Sequence, residues 1–135
     1  GLVADRSTWK KDPERITKEF KVLGFLREQH PLFMYRNVLK KYKRIMAIEL
    51  SRHEGRLVQL AGWPITRKEI WTKDGLAMNF ISYEDETAIY ETVLFPETYE
   101  RYRNMLFDLR AFIVCGVVKN DQGAICVEIE RIMTP

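Results

Sequence analysis

The residues in this sequence that could perform chemistry are few, and their spacing is not that of a catalytic site. The two histidines, His30 and His53, have no neighbouring Ser or Cys placed to act as a nucleophile, and they lack metal-ligand spacing. The acidic run at residues 84–86 could hold a metal ion, but a tight hairpin is the simpler explanation because successive strand residues point in opposite directions. We therefore expect no catalytic residue, metal ion or cofactor in this chain.

Residues 66–75 combine positive charge with an aromatic ring, which is the combination that single-strand nucleic-acid binders use. In such proteins cations follow the phosphates and aromatic rings stack on the bases. This segment supplies both through Arg67, Lys68, Trp71 and Lys73. The alternative is that Trp71 packs onto the rest of the fold.

Asn79, Tyr90 and Lys119 complete the set of candidate contact residues. Asn79 and Tyr90 lie in strand-like segments, where cross-strand packing is the alternative role. Lys119 precedes a turn at residues 120–123. The acidic residues at 84–86 would repel a phosphate backbone at close range, so we expect weak binding.

Positive charge is concentrated in the first part of the chain. Residues 1–56 hold 14 Lys and Arg against 7 Asp and Glu, a net charge of +7, whereas residues 57–135 hold 8 against 12, a net charge of −4. Because neutralised phosphates supply much of nucleic-acid affinity, the first part is the expected electrostatic contact. Its densest basic run is Lys40, Lys41, Lys43 and Arg44, for which phosphate contact and a solvated helix face both remain open.

The first part of the chain is predicted to be a helical basic segment. Asp12 and Pro13 are typical of a helix start, and Gly24 is a plausible end for that helix. A second helical stretch is predicted from about Leu32, and the polar residues 51–55 mark a boundary. The predicted parts are the helical segment 1–56 and a β domain at residues 57–135.

After residue 57 the sequence consists of short β-rich runs separated by turns, which is typical of strands. Five strands are predicted, at Leu57–Ile65, Leu76–Tyr83, Ala88–Phe95, Ala111–Val118 and Ala124–Ile132. One helix, beginning at Pro96 and extending to about Leu106, is predicted between the third and fourth strands. This order is that of the mainly β OB-fold, a Greek-key barrel whose first and fourth loops flank the binding face. Gly62 is predicted to lie where a barrel strand bends sharply.

The two cysteines, Cys115 and Cys126, lie in strand-like apolar runs and are too few for a zinc site. Two buried, reduced thiols in a cytoplasmic protein are the simpler explanation, and a cross-strand disulfide is the alternative. No apolar run approaches the roughly 20 residues of a membrane helix, so we expect no membrane partner. Residues 1–5 do not resemble a signal peptide and lack an initiator Met, so we expect a piece of a longer protein.

Two groups of motifs occur in order along the chain. They are Leu23-Gly24-Phe25 with His30-Pro31-Leu32, and, further on, Thr72–Phe80, the acidic turn Glu84–Thr87 and Phe95–Tyr99. Together they resemble the OB region of bacterial DNA polymerase III alpha subunits, of either the replicative or the error-prone type. In that family the first group joins a helix-hairpin-helix region to the barrel. The resemblance spans roughly residues 14–132.

This resemblance implies a parent protein that is a DNA-directed DNA polymerase, whose catalytic carboxylates would lie outside this chain. The segment would then bind single-stranded template DNA weakly or hold domain geometry, without performing chemistry. One alternative is a protein-contact module that docks other domains of the same polymerase, or replisome proteins. Another is an OB module of a different system, such as an anticodon-binding or helicase-associated domain.

Overall fold

The computed structural model describes residues 30–135, in which five strands close into a barrel behind a short helical segment. The strands are β1 (Leu57–Trp71), β2 (Ala77–Glu84), β3 (Ile89–Leu94), β4 (Phe112–Asp121) and β5 (Ala124–Met133). The helical elements are a 3-10 helix (Pro31–Tyr35), α1 (Arg36–Leu39), a second 3-10 helix (Ala47–His53) and α2 (Pro96–Tyr102). The helix predicted from Asp12 lies outside the described residues.

The strand order around the barrel is β1-β2-β3-β5-β4, and β4 pairs again with β1. All pairs are antiparallel except β3 with β5, which run parallel. The predicted five-stranded barrel with one helix after the third strand is therefore confirmed. Strand β1 closes the barrel, because its first half pairs with β4 and its second half pairs with β2.

Strand β1 changes its partner in the middle, at Gly62. Residues 57–62 pair with β4, and residues 63–71 pair with β2. A Cβ atom at Gly62 would lie 2.5 Å from the Tyr90 hydroxyl and 2.8 Å from the Tyr83 Cβ, closer than packed atoms allow. Glycine is therefore required here because two tyrosines of the core approach the backbone directly.

The first strand is longer than predicted, and residues 66–71 are not a loop. A register shift between Pro64 and Thr66 places the proline, which has no N–H, at an irregular point of the ladder. Beyond it Arg67 pairs with Ile81 and continues the strand to Trp71. Alternation of long polar and apolar residues suits a strand as well as a loop, since Arg and Lys stems cover apolar surface.

The barrel interior is filled by apolar residues from all five strands, and α2 covers one end of it. Tyr99 of α2 and Leu106, just after the helix, are buried against this core. The helix ends at Tyr102, earlier than predicted, yet Leu106 still packs as its spacing indicated. Of the described residues, no helix is both long and apolar enough to span a membrane.

The helical segment ahead of the barrel packs on the outer face of β1 and β4. Leu32 and Leu39 are buried there against Ala61 and Ile113. This apolar contact fixes the path of the basic residues that follow α1, because Leu39 precedes them directly. The basic run is consequently held beside the barrel rather than projecting from it.

The acidic residues at the end of β2 and in the turn after it bind this segment. His30 contacts the Glu84 carboxylate, Arg44 donates to Glu86 at 3.0 Å, and the Ala47 amide donates to Asp85 at 2.6 Å. Within residues 30–135, no group of three or more His, Cys, Asp or Glu residues is placed to hold a metal ion. The three adjacent acids thus contact three different points of the segment.

Cys115 and Cys126 are both buried and form no disulfide. The register pairs Cys115 with Arg131 and Cys126 with Lys119, so the two thiols are not cross-strand partners. The alternative of a cross-strand disulfide is therefore wrong for this structure.

Candidate nucleic-acid interface

Trp71, at the end of β1, is the most exposed aromatic residue of the predicted contact segment. Its side chain is 65% exposed, so it does not pack onto the barrel. Lys73 is also exposed, in the turn that follows. That turn is closed by Thr72, whose amide donates to the Leu76 carbonyl at 2.8 Å. The structure therefore presents an open indole ring beside one free-standing cation.

Arg67 is engaged within the fold. Its Nε donates to the Asn79 side-chain oxygen at 3.1 Å, and its Nη2 donates to the Tyr99 hydroxyl at 3.4 Å. Its guanidinium also lies 3.9 Å from the centre of the Phe107 ring, a cation–π distance. Arg67 therefore links β1 to β2 and to the α2 region, with two of its donors and one face of its guanidinium occupied inside the fold.

Asn79 and Tyr90 are inside the barrel. Asn79 is 0% exposed and Tyr90 is 3% exposed. The Tyr90 hydroxyl donates to the Ala61 carbonyl at 2.8 Å, and burial raises the pKa of this hydroxyl well above its usual value. Both residues thus occupy the packing role that was their alternative, and a base could reach neither without opening the barrel.

The outer face of β2 and β3, which OB-folds commonly use for binding, is buried in this protein. Lys68 points to this side of the sheet because it pairs with Phe80, which is 1% exposed. Phe80 belongs to a cluster of buried apolar residues on four strands, namely Ile70, Met78, Phe80, Val93 and Cys126. A single strand of nucleic acid would therefore not find open, stacking aromatic residues on this face.

A small cavity of about 260 Å³ lies beside Trp71, between the end of β1 and α2. Glu69 and Glu100 line it, and Arg103 lies 3.6 Å from the Glu100 carboxylate. The negative charges of Glu69 and Glu100 offset the positive charge of Arg103, so this cavity has little attraction for a phosphate.

A larger cavity, of about 480 Å³, lies at the opposite end of β1. It is enclosed by the segment between α1 and β1 and by the outer face of β1, β4 and β5. We refer to it as the basic cavity, and its lining residues are Lys43, Arg44, Ile45, His53, Arg56, Leu57, Val58, Gln59, Cys115 and Arg131. None of these residues is acidic.

Two cations of the basic cavity belong to the basic run noted in the sequence, and two do not. Lys43 and Arg44 come from that run, whereas Arg56 precedes β1 and Arg131 lies near the end of β5. Burial lowers the pKa of Arg44, whereas the hydrogen bond and charge of Glu86 and the charges of Asp85 and Tyr90 raise it, and the net direction is upward. Burial raises the pKa of Glu86, whereas the hydrogen bond and charge of Arg44, a backbone hydrogen bond and the charge of His30 lower it, and the net direction is downward.

Lys119 is exposed near the end of β4, on the same strand face as Cys115 of the basic cavity. The turn after it is fixed by Asn120, whose side-chain oxygen accepts the Gly123 amide at 2.7 Å. Gln122 and Gly123 both have positive φ, as a tight hairpin turn requires. Of the predicted contact residues, Lys119 is therefore on the side of the basic cavity and Trp71 is at the other end of β1.

Comparison with known sequences gives relatives that are DNA polymerases, and the similarity extends over most of this chain. A DNA polymerase III subunit alpha from Halalkalibacterium halodurans is 35% identical over 112 residues, which cover 83% of this chain and 10% of that protein. An error-prone DNA polymerase from Symbiobacterium thermophilum is 30% identical over 122 residues, which cover 88% of this chain and 11% of that protein. The chain thus spans about a tenth of the length of these relatives. No protein-family model matches the chain.

Comparison with solved structures finds the same barrel in other proteins. The SSB domain of a Synechococcus protein matches with a TM-score of 0.51 at 7% identity, covering 58% of this chain and 93% of that domain. Asparaginyl-tRNA synthetase from Pyrococcus horikoshii matches with a TM-score of 0.52 at 26% identity, covering 67% of this chain and 22% of that enzyme. The chain is therefore a homologue of one segment of bacterial DNA polymerase III alpha subunits and error-prone DNA polymerases, and this segment folds as an OB barrel.

Proposed function

We propose that this chain is a nucleic-acid-binding OB module that contacts single-stranded template DNA within a DNA polymerase of the polymerase III alpha type. The observation that carries the proposal is the similarity to a DNA polymerase III subunit alpha over 83% of the chain. The likeness of the barrel to an SSB domain and to a tRNA synthetase supports it, since those proteins are named for nucleic-acid partners. The proposed role is binding, and the chemistry of such a polymerase would belong to other parts of it.

The proposed affinity is low because little of the predicted segment is open to a strand. Trp71 offers a stacking surface and Lys73 a single charge, whereas Arg67 is engaged with Asn79 and Phe107. Non-specific nucleic-acid binding by basic surfaces commonly has dissociation constants of about 10⁻⁴ to 10⁻⁶ M at physiological salt. We expect the isolated chain to lie in this range.

The proposal is tested by fluorescence anisotropy of a labelled single-stranded oligonucleotide titrated with the full 135-residue chain. We expect binding at about 50 mM salt that weakens steeply toward about 200 mM, because counterions are released from the phosphates. A duplex of the same sequence is the control, and it should bind more weakly because its bases are not available for stacking. Absence of single-strand binding at the lower salt concentration would reject the proposal.

A second candidate function is contact with other domains of the same polymerase or with replisome proteins. Large apolar side chains that are exposed outside the basic cavity favour it, among them Met34, which is 85% exposed, and Leu109, which is 75% exposed. Replacing both by Ser should weaken docking to the remaining polymerase domains, measured by calorimetry, and leave oligonucleotide binding unchanged. Equal docking by the wild-type chain and this variant would remove the candidate.

A further inference from the structure

The floor of the basic cavity is a row of three residues in register across neighbouring strands. Gln59 of β1 pairs with Cys115 of β4, and Cys115 pairs with Arg131 of β5. The Cys115 thiol donates to the Gln59 side-chain oxygen at 3.2 Å, and the Gln59 amide donates to the Lys43 carbonyl at 3.0 Å. Hydrogen bonds therefore fix both the floor and the wall that carries the basic run.

The position of Arg56 is set by its backbone. The Val118 amide donates to the Arg56 carbonyl at 3.0 Å, and the Gly55 amide donates to the Val118 carbonyl at 2.7 Å. These bonds attach the residues just before β1 to the edge of β4. The exposed Arg56 side chain is consequently held at the rim of the basic cavity, on a backbone that is already ordered.

Three cations of the basic cavity have no acidic partner in the part of the chain that the structure describes. Arg44 is paired with Glu86, but within residues 30–135 no carboxylate forms an ion pair with Lys43, Arg56 or Arg131. The neighbouring acid in sequence, Glu54, accepts a hydrogen bond from Asn120 at 3.3 Å and does not line the cavity.

Most donors of the Arg131 guanidinium remain available for a ligand. It has five N–H donors, and the contact that the structure gives it is a long one, 3.8 Å, to the Cys115 sulfur. Sulfur is a weak acceptor, so a phosphate oxygen would be a better partner for the same guanidinium. The chemistry of the basic cavity is thus that of an anion site.

A further cation, Lys119, lies beyond the basic cavity on β4. It lies four residues from Cys115 on the same face of the strand, a distance of about 13 Å at the usual rise per residue. Between them Glu128 pairs with Val117 on this face, and its carboxylate would repel a phosphate that passed over it. We therefore expect the basic cavity to supply most of the attraction for a strand and Lys119 a smaller part.

We propose that the basic cavity binds phosphate groups of a single-stranded nucleic acid, with Lys43, Arg56 and Arg131 as the contacting cations. This inference rests on the proposed function and places the backbone contact away from the buried outer face of β2 and β3.

The test compares oligonucleotide binding by the wild-type chain with that of an Arg56→Gln, Arg131→Gln double variant. We expect affinity about tenfold lower at about 50 mM salt and a salt slope smaller by about 1.4, since each lost contact with a single strand removes about 0.7. Arg101→Gln, which removes an exposed charge from α2, is the matched control and should bind as wild type. Arg131→Lys in place of Arg131→Gln in the double variant should restore part of the lost affinity, because lysine restores the positive charge. Unchanged circular dichroism and melting temperature establish that each variant is folded.

The outcomes separate this inference from the proposed function. If the wild-type chain binds and the double variant binds equally well, the basic cavity is not the phosphate site, although the proposed function stands. If the wild-type chain binds no oligonucleotide, both proposals fail. A third arm adds inorganic phosphate, and separately chloride at the same ionic strength, to the preformed complex. Release by both alike agrees with a strand site, whereas release by phosphate alone at low concentration would reassign the cavity to a free anion and overturn the strand assignment.

Discussion

The two ends of strand β1 carry opposite kinds of surface. At the Trp71 end an aromatic ring is exposed, but acids line the neighbouring cavity and the best placed arginine, Arg67, is engaged by Asn79 and Phe107. At the Leu57 end, among residues 30–135, three cations of the basic cavity form no ion pair and no acid lines it. One end is therefore suited to stack on a base and the other to attract a phosphate.

From this difference we expect a cation to contribute to binding only when the fold leaves it without an internal partner. Arg67 of β1 and Arg131 of β5 belong to the same barrel, yet one guanidinium is covered by an aromatic ring and the other contacts only a sulfur atom among the described residues. The basic-aromatic pattern in the sequence predicted Arg67 as a contact residue, whereas the structure favours Arg131.

Charge reversal at the two ends should give the largest contrast. Arg56→Glu with Arg131→Glu should weaken single-strand binding on the order of a hundredfold, about 2.7 kcal/mol, because two attractive contacts become repulsive. Lys68→Glu with Lys73→Glu has the same charge change and should weaken binding only about fivefold. Anisotropy titrations at one salt concentration measure both. A larger loss at the Lys68 and Lys73 end would reverse the comparison.

Removing the exposed indole should give the next largest effect. Trp71→Ala is expected to weaken single-strand binding about tenfold, since stacking on an aromatic ring is worth about 1–3 kcal/mol per base. Its melting temperature should hardly change, because the side chain is 65% exposed. Trp71→Phe is the control and should retain most of the affinity. Unchanged binding together with a lower melting temperature would instead make Trp71 a packing residue.

Arg67→Ala should affect stability more than binding. The change leaves the buried Asn79 oxygen without its 3.1 Å donor and removes the contact with Phe107. We expect a loss of about 1–3 kcal/mol in the free energy of unfolding, measured with urea. The control, Lys68→Ala, should be close to neutral. Oligonucleotide affinity should change less than about twofold, and a tenfold loss would mean that Arg67 contacts the strand after all.

The smallest effect is expected at the rim of the basic cavity, where Glu86 pairs with Arg44. The folded-state pKa of Glu86 is lowered, so the pair stabilises the fold above the usual carboxyl pKa and this contribution is lost as pH falls through the folded pKa. Glu86→Gln should cost less than about 1 kcal/mol at neutral pH, because the pair is partly exposed. Urea unfolding at about pH 7 and about pH 3 checks this, and the difference from wild type should be smaller at the lower pH.

The same variant also tests the charge of the basic cavity. Without Glu86 the Arg44 guanidinium loses its carboxylate partner, so single-strand binding should strengthen by about twofold. Weaker binding by Glu86→Gln would indicate that the pair positions the basic run, and that its geometry matters more than the added charge.

Strand number, helix placement and the OB order were predictable because period-2 alternation and turn residues are local signals. The length of β1 was not, since Arg67 and Lys68 are polar in both a loop and a strand. Arg67 and Lys68 belong to the strand because they pair with Ile81 and Phe80, and this pairing is a tertiary contact. The burial of Asn79 likewise follows from barrel closure, which no local pattern encodes.

Only part of the basic cavity could be predicted from the sequence. Lys43 and Arg44 form a recognisable run, but Arg131 follows Ile129 with the spacing of the inward-facing residues of β5. A register shift opposite Cys115 and Gly116 places an extra residue in β5 and turns Arg131 outward. A bulge of this kind depends on the partner strand, so the alternation of β5 alone predicted that Arg131 would face inward.

The partner change of β1 at Gly62 has a consequence for how this protein can be altered. Because one uninterrupted strand supplies a wall of each cavity and belongs to two ladders, the two surfaces cannot be inherited or transplanted as separate modules. A graft must carry the whole barrel, whereas the tips at residues 73–75 and 120–123 can be lengthened with little effect on the ladders. Either surface can therefore be engineered only with the barrel kept intact, and the changes in chain length belong in these two turns.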